Sequence, residues 1–137
     1  MVNTVTNTRV VAGETKVVQY ITITSDGSEE TDLVLYDSSA VATALRKVDP
    51  LDCKILHLTY STNSLAGVVH LEFDANTDVD AWSCPAYSGA SQFCFSSFGG
   101  IPNTSGAGRT GDITLTTTGL AAGDSISVVI IVDPSYA

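Results

Sequence analysis

The chain has 137 residues, 44% of them hydrophobic and only 15% charged, with 15 acidic against 6 basic side chains and a net charge of −9. That length suits one domain with a full core, and the composition excludes disorder, coiled coil and collagen. Nucleic acid and anionic membranes are bound through Lys and Arg, and Arg109 is the only basic residue after Lys54, so neither is expected as a partner.

Val, Ile and Thr together number 40, which leans the chain to an all-β fold. No stretch approaches the roughly 20 apolar residues of a membrane-spanning helix. Residues 1–11 lack the apolar run of a secretory signal, so a chain soluble where it is made is expected. In chain order, residues 4–11 and 15–24 read as two strands joined at Ala12 and Gly13. Ser25-Asp26-Gly27-Ser28 reads as a turn in which Asp26 caps nearby backbone and Gly27 supplies a positive φ. A third strand covers 31–36. Residues 38–45, with Ser38 and Ser39 as N-cap candidates, form one short helical turn, closed by Pro50.

Residues 53–62 and 67–73 are the most legible pair. With a turn at Asn63 and Ser64 they read as a hairpin, with Leu56 opposite Leu71 and Leu58 opposite Val69 on the inner face. Ile55, His57 and Thr59 then share the other face with Val68, His70 and Glu72. After a loop rich in Asp, Ala and Ser, residues 92–98 form a strand with Phe93 and Phe95 on one face. A long Gly, Ser and Asn loop fills 99–111, and 112–118 and 125–132 are the last strands. About eight short strands with one helical turn give a single β-sandwich over residues 1–137, jelly-roll-like in topology. Residues 1–8 read as an extended N-terminal arm able to add a strand to a neighbour.

Several strands are apolar on both faces. Ile126, Val128, Ile130 and Val132 line one side of the last strand while Val129 and Ile131 occupy the other, and Leu33 and Leu35 alternate with Val34 and Tyr36 in the same way. A half-exposed strand should alternate more cleanly. The faces carrying Val34, Tyr36, Val129 and Ile131 therefore need cover, from the chain's own helix or loops or from an interface with another chain.

Cys53, Cys84 and Cys94 match no zinc spacing and read as free, mostly buried thiols. Gly106-Ala107-Gly108-Arg109-Thr110-Gly111 fits GxGxxG but leads into a β alternation instead of a helix, so it reads as a surface loop. Asp74, Asn76, Asp78 and Asp80 place oxygen ligands at alternate positions, as in a loop that wraps Ca²⁺. Val79 and Pro85 stand where an EF-hand has Gly and Glu, so a solvated acidic loop is the first reading and a Ca²⁺ site the second. His57 and His70, neighbours in the expected hairpin, could share a metal, but no third ligand accompanies them. No GxSxG, HExxH or P-loop is present. No catalytic residue, cofactor or metal site is assigned, and the chain is not expected to be an enzyme. Asn103-Thr104-Ser105 is a glycosylation sequon. For a carbohydrate-binding sandwich, which needs exposed aromatics, the supply is Trp82, Tyr87, Tyr20, Tyr36, Tyr60 and Tyr136.

Val17-Val18-Gln19-Tyr20-Ile21-Thr22-Ile23 leading into Ser25-Asp26-Gly27-Ser28 and Leu33-Val34-Leu35-Tyr36, Thr110-Gly111-Asp112-Ile113-Thr114-Leu115, and Phe98-Gly99-Gly100 together give the chain its one family likeness. It resembles the small β-rich structural proteins of tailed, notably marine, bacteriophages, several of which decorate or cement the capsid. The resemblance implies a virion protein that binds the capsid exterior, with the major capsid protein as partner and a homo-oligomer, dimer or trimer, as its own state. It also implies synthesis in the host cytoplasm and no cofactor, and it carries over no functional residue. The alternative is a carbohydrate-binding or fibre-type β-sandwich adhesion module.

Overall fold

The computed structural model describes residues 3–12, 16–45, 53–63, 67–84 and 89–134. Its elements are β1 (Thr4–Ala12), β2 (Val17–Thr24), β3 (Leu33–Tyr36), α1 (Ser38–Leu45), β4 (Lys54–Thr62), β5 (Val68–Phe73), β6 (Val79–Cys84), β7 (Gly89–Cys94), a 3-10 turn at Ser96–Phe98, β8 (Ile101–Pro102), β9 (Ile113–Thr118) and β10 (Ser125–Asp133). One antiparallel sheet runs β1-β2-β10-β4-β7 with β8 paired to β4, and the other runs β3-β9-β5-β6. With β1 and β8 set aside, four strands lie over four and the chain changes sheet at almost every connection, which is a jelly roll. The expected all-β sandwich with one short helix is what forms. No helix among the described residues is long and apolar enough to cross a membrane.

Period-2 alternation builds the core. In β2, Val17, Ile21 and Ile23 are buried, and β10 buries Ile126, Val128, Ile130 and Val132. Facing them are Val69, Leu71 and Phe73 of β5 and Ile113 and Leu115 of β9, all in one apolar cluster. Each such side chain contributes about 1.5–3 kcal/mol by leaving water. Helix α1 adds Val41 and Ala42. Its N-cap is Asp37, one residue before the expected serines. The Asp37 carboxylate accepts the Ala40 N–H at 3.1 Å and the Ser39 hydroxyl at 2.7 Å. Those bonds, the Ser39 hydroxyl first, hold the carboxyl below its ordinary range against the opposing effect of burial.

The expected hairpin of 53–62 with 67–73 does not form. β4 pairs with β10 and β7, whereas β5 pairs with β9 and β6 in the opposite sheet. An apolar alternation serves equally for a neighbour in the same sheet and for a partner across the sandwich, so the pattern does not distinguish the two. His57 and His70 consequently lie on different sheets and share no metal.

Three bulges redirect side chains, because one extra residue shifts the alternation by a position. In β4 the register against β10 steps at Leu56, so Ile55 and Leu58 both point inward. In β3 it steps at Leu35 against β9, and Tyr36 turns into the core at 0% exposure instead of sharing an outer face with Val34. In β6 it steps at Ala81, which sends Trp82 inward beside Leu71 and keeps Asp80 beside Glu72. Trp82 packs against Phe93 and Phe95 with ring centroids 5.1 Å apart in each case, closing the edge between the sheets.

Residues 4–8, within the segment read both as a strand beside 15–24 and as an extended N-terminal arm, pair with β2 from Thr4↔Thr24 to Thr8↔Tyr20. Asn7 also donates to the Val34 carbonyl at 3.0 Å, tying β1 to β3. The 25–28 turn forms as expected, with Asp26 accepting the Ser28 N–H at 2.9 Å and Gly27 at φ +103°. Gly13, Pro50, Ser64, Pro85, Tyr87 and Tyr136 lie outside the described residues.

Candidate functional site

On the four-stranded sheet, burial of Leu71 and Phe73 turns Glu72 outward, and burial of Ile113, Leu115 and Thr117 turns Thr114 and Thr116 to the same face. Glu72 stands opposite Thr114 on β9, which stands opposite Val34 on β3. Asp32 enters β3 in a left-handed conformation, φ +52°, uncommon for a non-glycine residue. Its N–H is taken by the Thr116 hydroxyl at 3.1 Å, and that hydroxyl donates to Glu72 Oε1 at 2.6 Å. The turn after β5 brings back Asp78, whose Oδ1 accepts the Ala75 N–H at 3.1 Å.

Asp32, Glu72 and Asp78 thereby converge from three separate segments, each offering a carboxylate oxygen within 4.8 Å of the others. Two oxygens bound to one Ca²⁺ are at most about 5 Å apart. The Asp32 carboxyl is held above its ordinary range, first by a hydrogen bond shared with Asp78, then by burial, and then by the charges of Asp78, Glu72 and Asp74. Thr114 is 2% exposed, and its hydroxyl oxygen is buried with no hydrogen-bond partner. Thr114 stands opposite Glu72 on β9, the strand between β3 and β5, and a buried hydroxyl without a partner there calls for an explanation.

The acidic loop does not close on itself. Asp74 accepts the Thr110 hydroxyl at 2.7 Å, Asn76 is exposed, and the Asp80 side chain lies 3.8 Å from His70 Nδ1 on β5. Of the four expected ligands only Asp78 joins the cluster; its partners come from β5 and from the approach to β3. The glycine pattern at 106–111 is accounted for here. Gly108, at φ +78°, sits so close to Asn76 that a Cβ would overlap the carboxamide, and the loop packs on the acidic turn. The carboxamide of Asn103 in the sequon is turned inward, where its Oδ1 accepts the Ser105 N–H at 2.9 Å.

Elsewhere, His57 Nε2 lies 3.1 Å from the Thr59 hydroxyl and 3.0 Å from the Gln92 side chain. Cys53 and Cys84 are buried thiols and Cys94 is exposed. Burial pushes the Cys84 thiol up to about 12, while the Ser96 hydroxyl lowers that of Cys94. Tyr36 and Tyr60 are core residues, and among the described residues Phe98 is an exposed aromatic, at 67%. The cover expected over Val129 and Ile131 is supplied by neighbours in the same sheet. Both are half-buried, Val129 between Tyr20 and Thr59 and Ile131 between Val18 and His57.

No known family model matches the chain, and no curated protein does. Among solved structures it is similar to a cupin domain from Bordetella pertussis, with 10% identity, TM-score 0.37, and 95% of this chain and 94% of that one covered. It is also similar to a family 29 carbohydrate-binding module, with 6% identity, TM-score 0.40 and coverage of 95% and 85%. A third is an RmlC-like cupin with a double-stranded β-helix fold from Methanocaldococcus jannaschii, with 8% identity, TM-score 0.35 and coverage of 96% and 81%. Likeness at this level fixes neither a family nor an activity. These three similar structures are two cupins and a carbohydrate-binding module. The resemblance to phage decoration proteins, and the capsid-binding role it implied, are corrected: no family model and no curated protein matches to carry them. Of the residues whose faces were expected to need cover, Tyr36 is buried by the bulge at Leu35, Val129 and Ile131 are half-buried among cross-strand neighbours, and Val34 stays 40% exposed. The expectation that the chain is not an enzyme, drawn from its lack of catalytic motifs, is corrected: Asp32, Glu72 and Asp78 form a candidate metal-ligand cluster.

Proposed function

We propose that the chain is a jelly-roll module that binds a divalent cation, Ca²⁺ by preference, on the outer face of its four-stranded sheet. The observation that carries this reading is the convergence of the Asp32, Glu72 and Asp78 carboxylates, with the buried, unpartnered Thr114 hydroxyl on the residue opposite Glu72. Hard oxygen donors of this kind suit Ca²⁺, which tolerates irregular geometry better than Mg²⁺ does. When bound, the cation supplies the positive charge that three neighbouring carboxylates lack. The residues do the rest: Thr116 fixes Glu72 and the Asp32 backbone, and the Ala75 N–H fixes Asp78.

Calorimetric titration with CaCl₂ is expected to give one site with a Kd on the order of 10⁻⁵ to 10⁻³ M. Thr114→Val separates a ligand from a packing residue. Removing an unpaired buried hydroxyl is expected to stabilise the cation-free protein by about 1 kcal/mol, yet to weaken Ca²⁺ binding. Equal Ca²⁺ affinity in wild type, Thr114→Val and Glu72→Gln would dispose of the site.

A further inference from the structure

We infer that the ligand completing this cation is a neutral saccharide, held through hydroxyl groups, an inference that rests on the cation reading above. The acidic cluster has an independent pointer to a ligand in Thr114, nine-tenths buried and opposite Glu72 with its hydroxyl unpartnered. Ca²⁺ takes six to eight oxygens. Three carboxylates, even with the Thr114 hydroxyl added, fall short of that number and leave positions for the hydroxyl oxygens of a ligand.

The surrounding face suits a sugar ring. Val34, on the row with Thr114 and Glu72, is 40% exposed and offers an apolar surface to ring C–H groups. The same row ends in Asp80, whose carboxylate is 60% exposed and accepts hydroxyl hydrogens. The adjacent row carries Thr116, His70 and Ser83, with His70 Nδ1 2.9 Å from the Ser83 hydroxyl. Charge decides between saccharide classes: Asp74 and Asp80 flank the cluster on a chain of net charge −9, which repels uronates, phosphates and sulfates. Tyr36 and Tyr60 are buried and Trp82 is packed against Phe93 and Phe95, so none of these three rings is presented on this face for stacking.

The test is affinity electrophoresis and calorimetry of the full chain with galactomannan, xyloglucan and mixed-linkage glucan as neutral probes and polygalacturonate as the acidic one, in CaCl₂ and in EDTA. Retardation by at least one neutral polysaccharide is expected, weakened by about tenfold or more in EDTA. Val34→Ser and His70→Ala are expected to weaken it by about threefold or more while leaving Ca²⁺ affinity within about twofold of wild type. Normal Ca²⁺ binding with no neutral polysaccharide bound, with binding indifferent to EDTA, or with polygalacturonate alone bound would overturn the saccharide inference and leave the cation reading standing. No Ca²⁺ binding by calorimetry would overturn both.

Discussion

On the outer face of the sheet centred on β10, neutral side chains run in rows across the strands. Thr8, Tyr20, Val129, Thr59 and Gln92 form one row, and Val18, Ile131, His57 and Cys94 the next. On the outer face of the other sheet the rows are Val34, Thr114, Glu72 and Asp80, then Thr116, His70 and Ser83, with Asp32 and Asp78 closing on Glu72. Both sheets bury the same kind of inner face, so the fold does not require the difference. Neutral β-branched neighbours shield one another and leave Val129 and Ile131 half-buried without a second layer. Three converging carboxylates do the reverse, raising the Asp32 carboxyl through mutual contact. That cluster, and not the neutral face, is where the cation is proposed to bind.

The largest effects belong to what the two sheets share. Leu58→Ala and Leu71→Ala, one from each inner face and both fully buried, are each expected to cost about 2–5 kcal/mol in urea unfolding. A near-neutral result at either would break the picture of one common core. Next comes the outer-face contrast itself. Ca²⁺ at about 100 times its Kd is expected to add about 2.7 kcal/mol of stability to wild type and little to Glu72→Gln.

Smaller is the cap of α1. Asp37→Ala is expected to cost about 0.5–2 kcal/mol at neutral pH. Since the folded state depresses the Asp37 carboxyl, that stabilisation is present above the ordinary carboxylate range and is lost as pH falls through the lowered value. The gap between wild type and variant should therefore close in acid, and a gap that widened there would contradict the cap. Smallest is Val129→Thr on the neutral face, expected within about 0.5 kcal/mol of wild type and with unchanged Ca²⁺ binding. A large loss there would mean that the neutral face is covered after all.

How far each feature could be read from the residues depends on how local its cause is. Strand alternation at 17–24 and 125–133, the Asp26–Gly27 turn and the helix at 38–45 follow from neighbours a few positions apart, and they formed where expected. Strand β6 was hidden, because the bulge at Ala81 breaks the alternation of Asp80, Trp82 and Cys84. The cluster was half visible. Alternating acids at 74–80 pointed to Asp78 but drew in Asp74, which the Thr110 hydroxyl holds elsewhere, and Asp80, which faces His70. Glu72 and Asp32 carried no spacing signal, since they come together only because β5 and β3 both flank β9.

The residues by themselves determined an all-β, acidic, single-core chain, because alternation and composition act over short stretches. Only the tertiary structure decided that β4 and β5 lie in opposite sheets, that bulges carry Tyr36 and Trp82 inward, and that three distant carboxylates meet on the outer face of one sheet. The physical reason is that an apolar face demands burial without naming its partner. Strand order and bulge position, settled by packing the whole chain, choose which outward-facing side chains become neighbours.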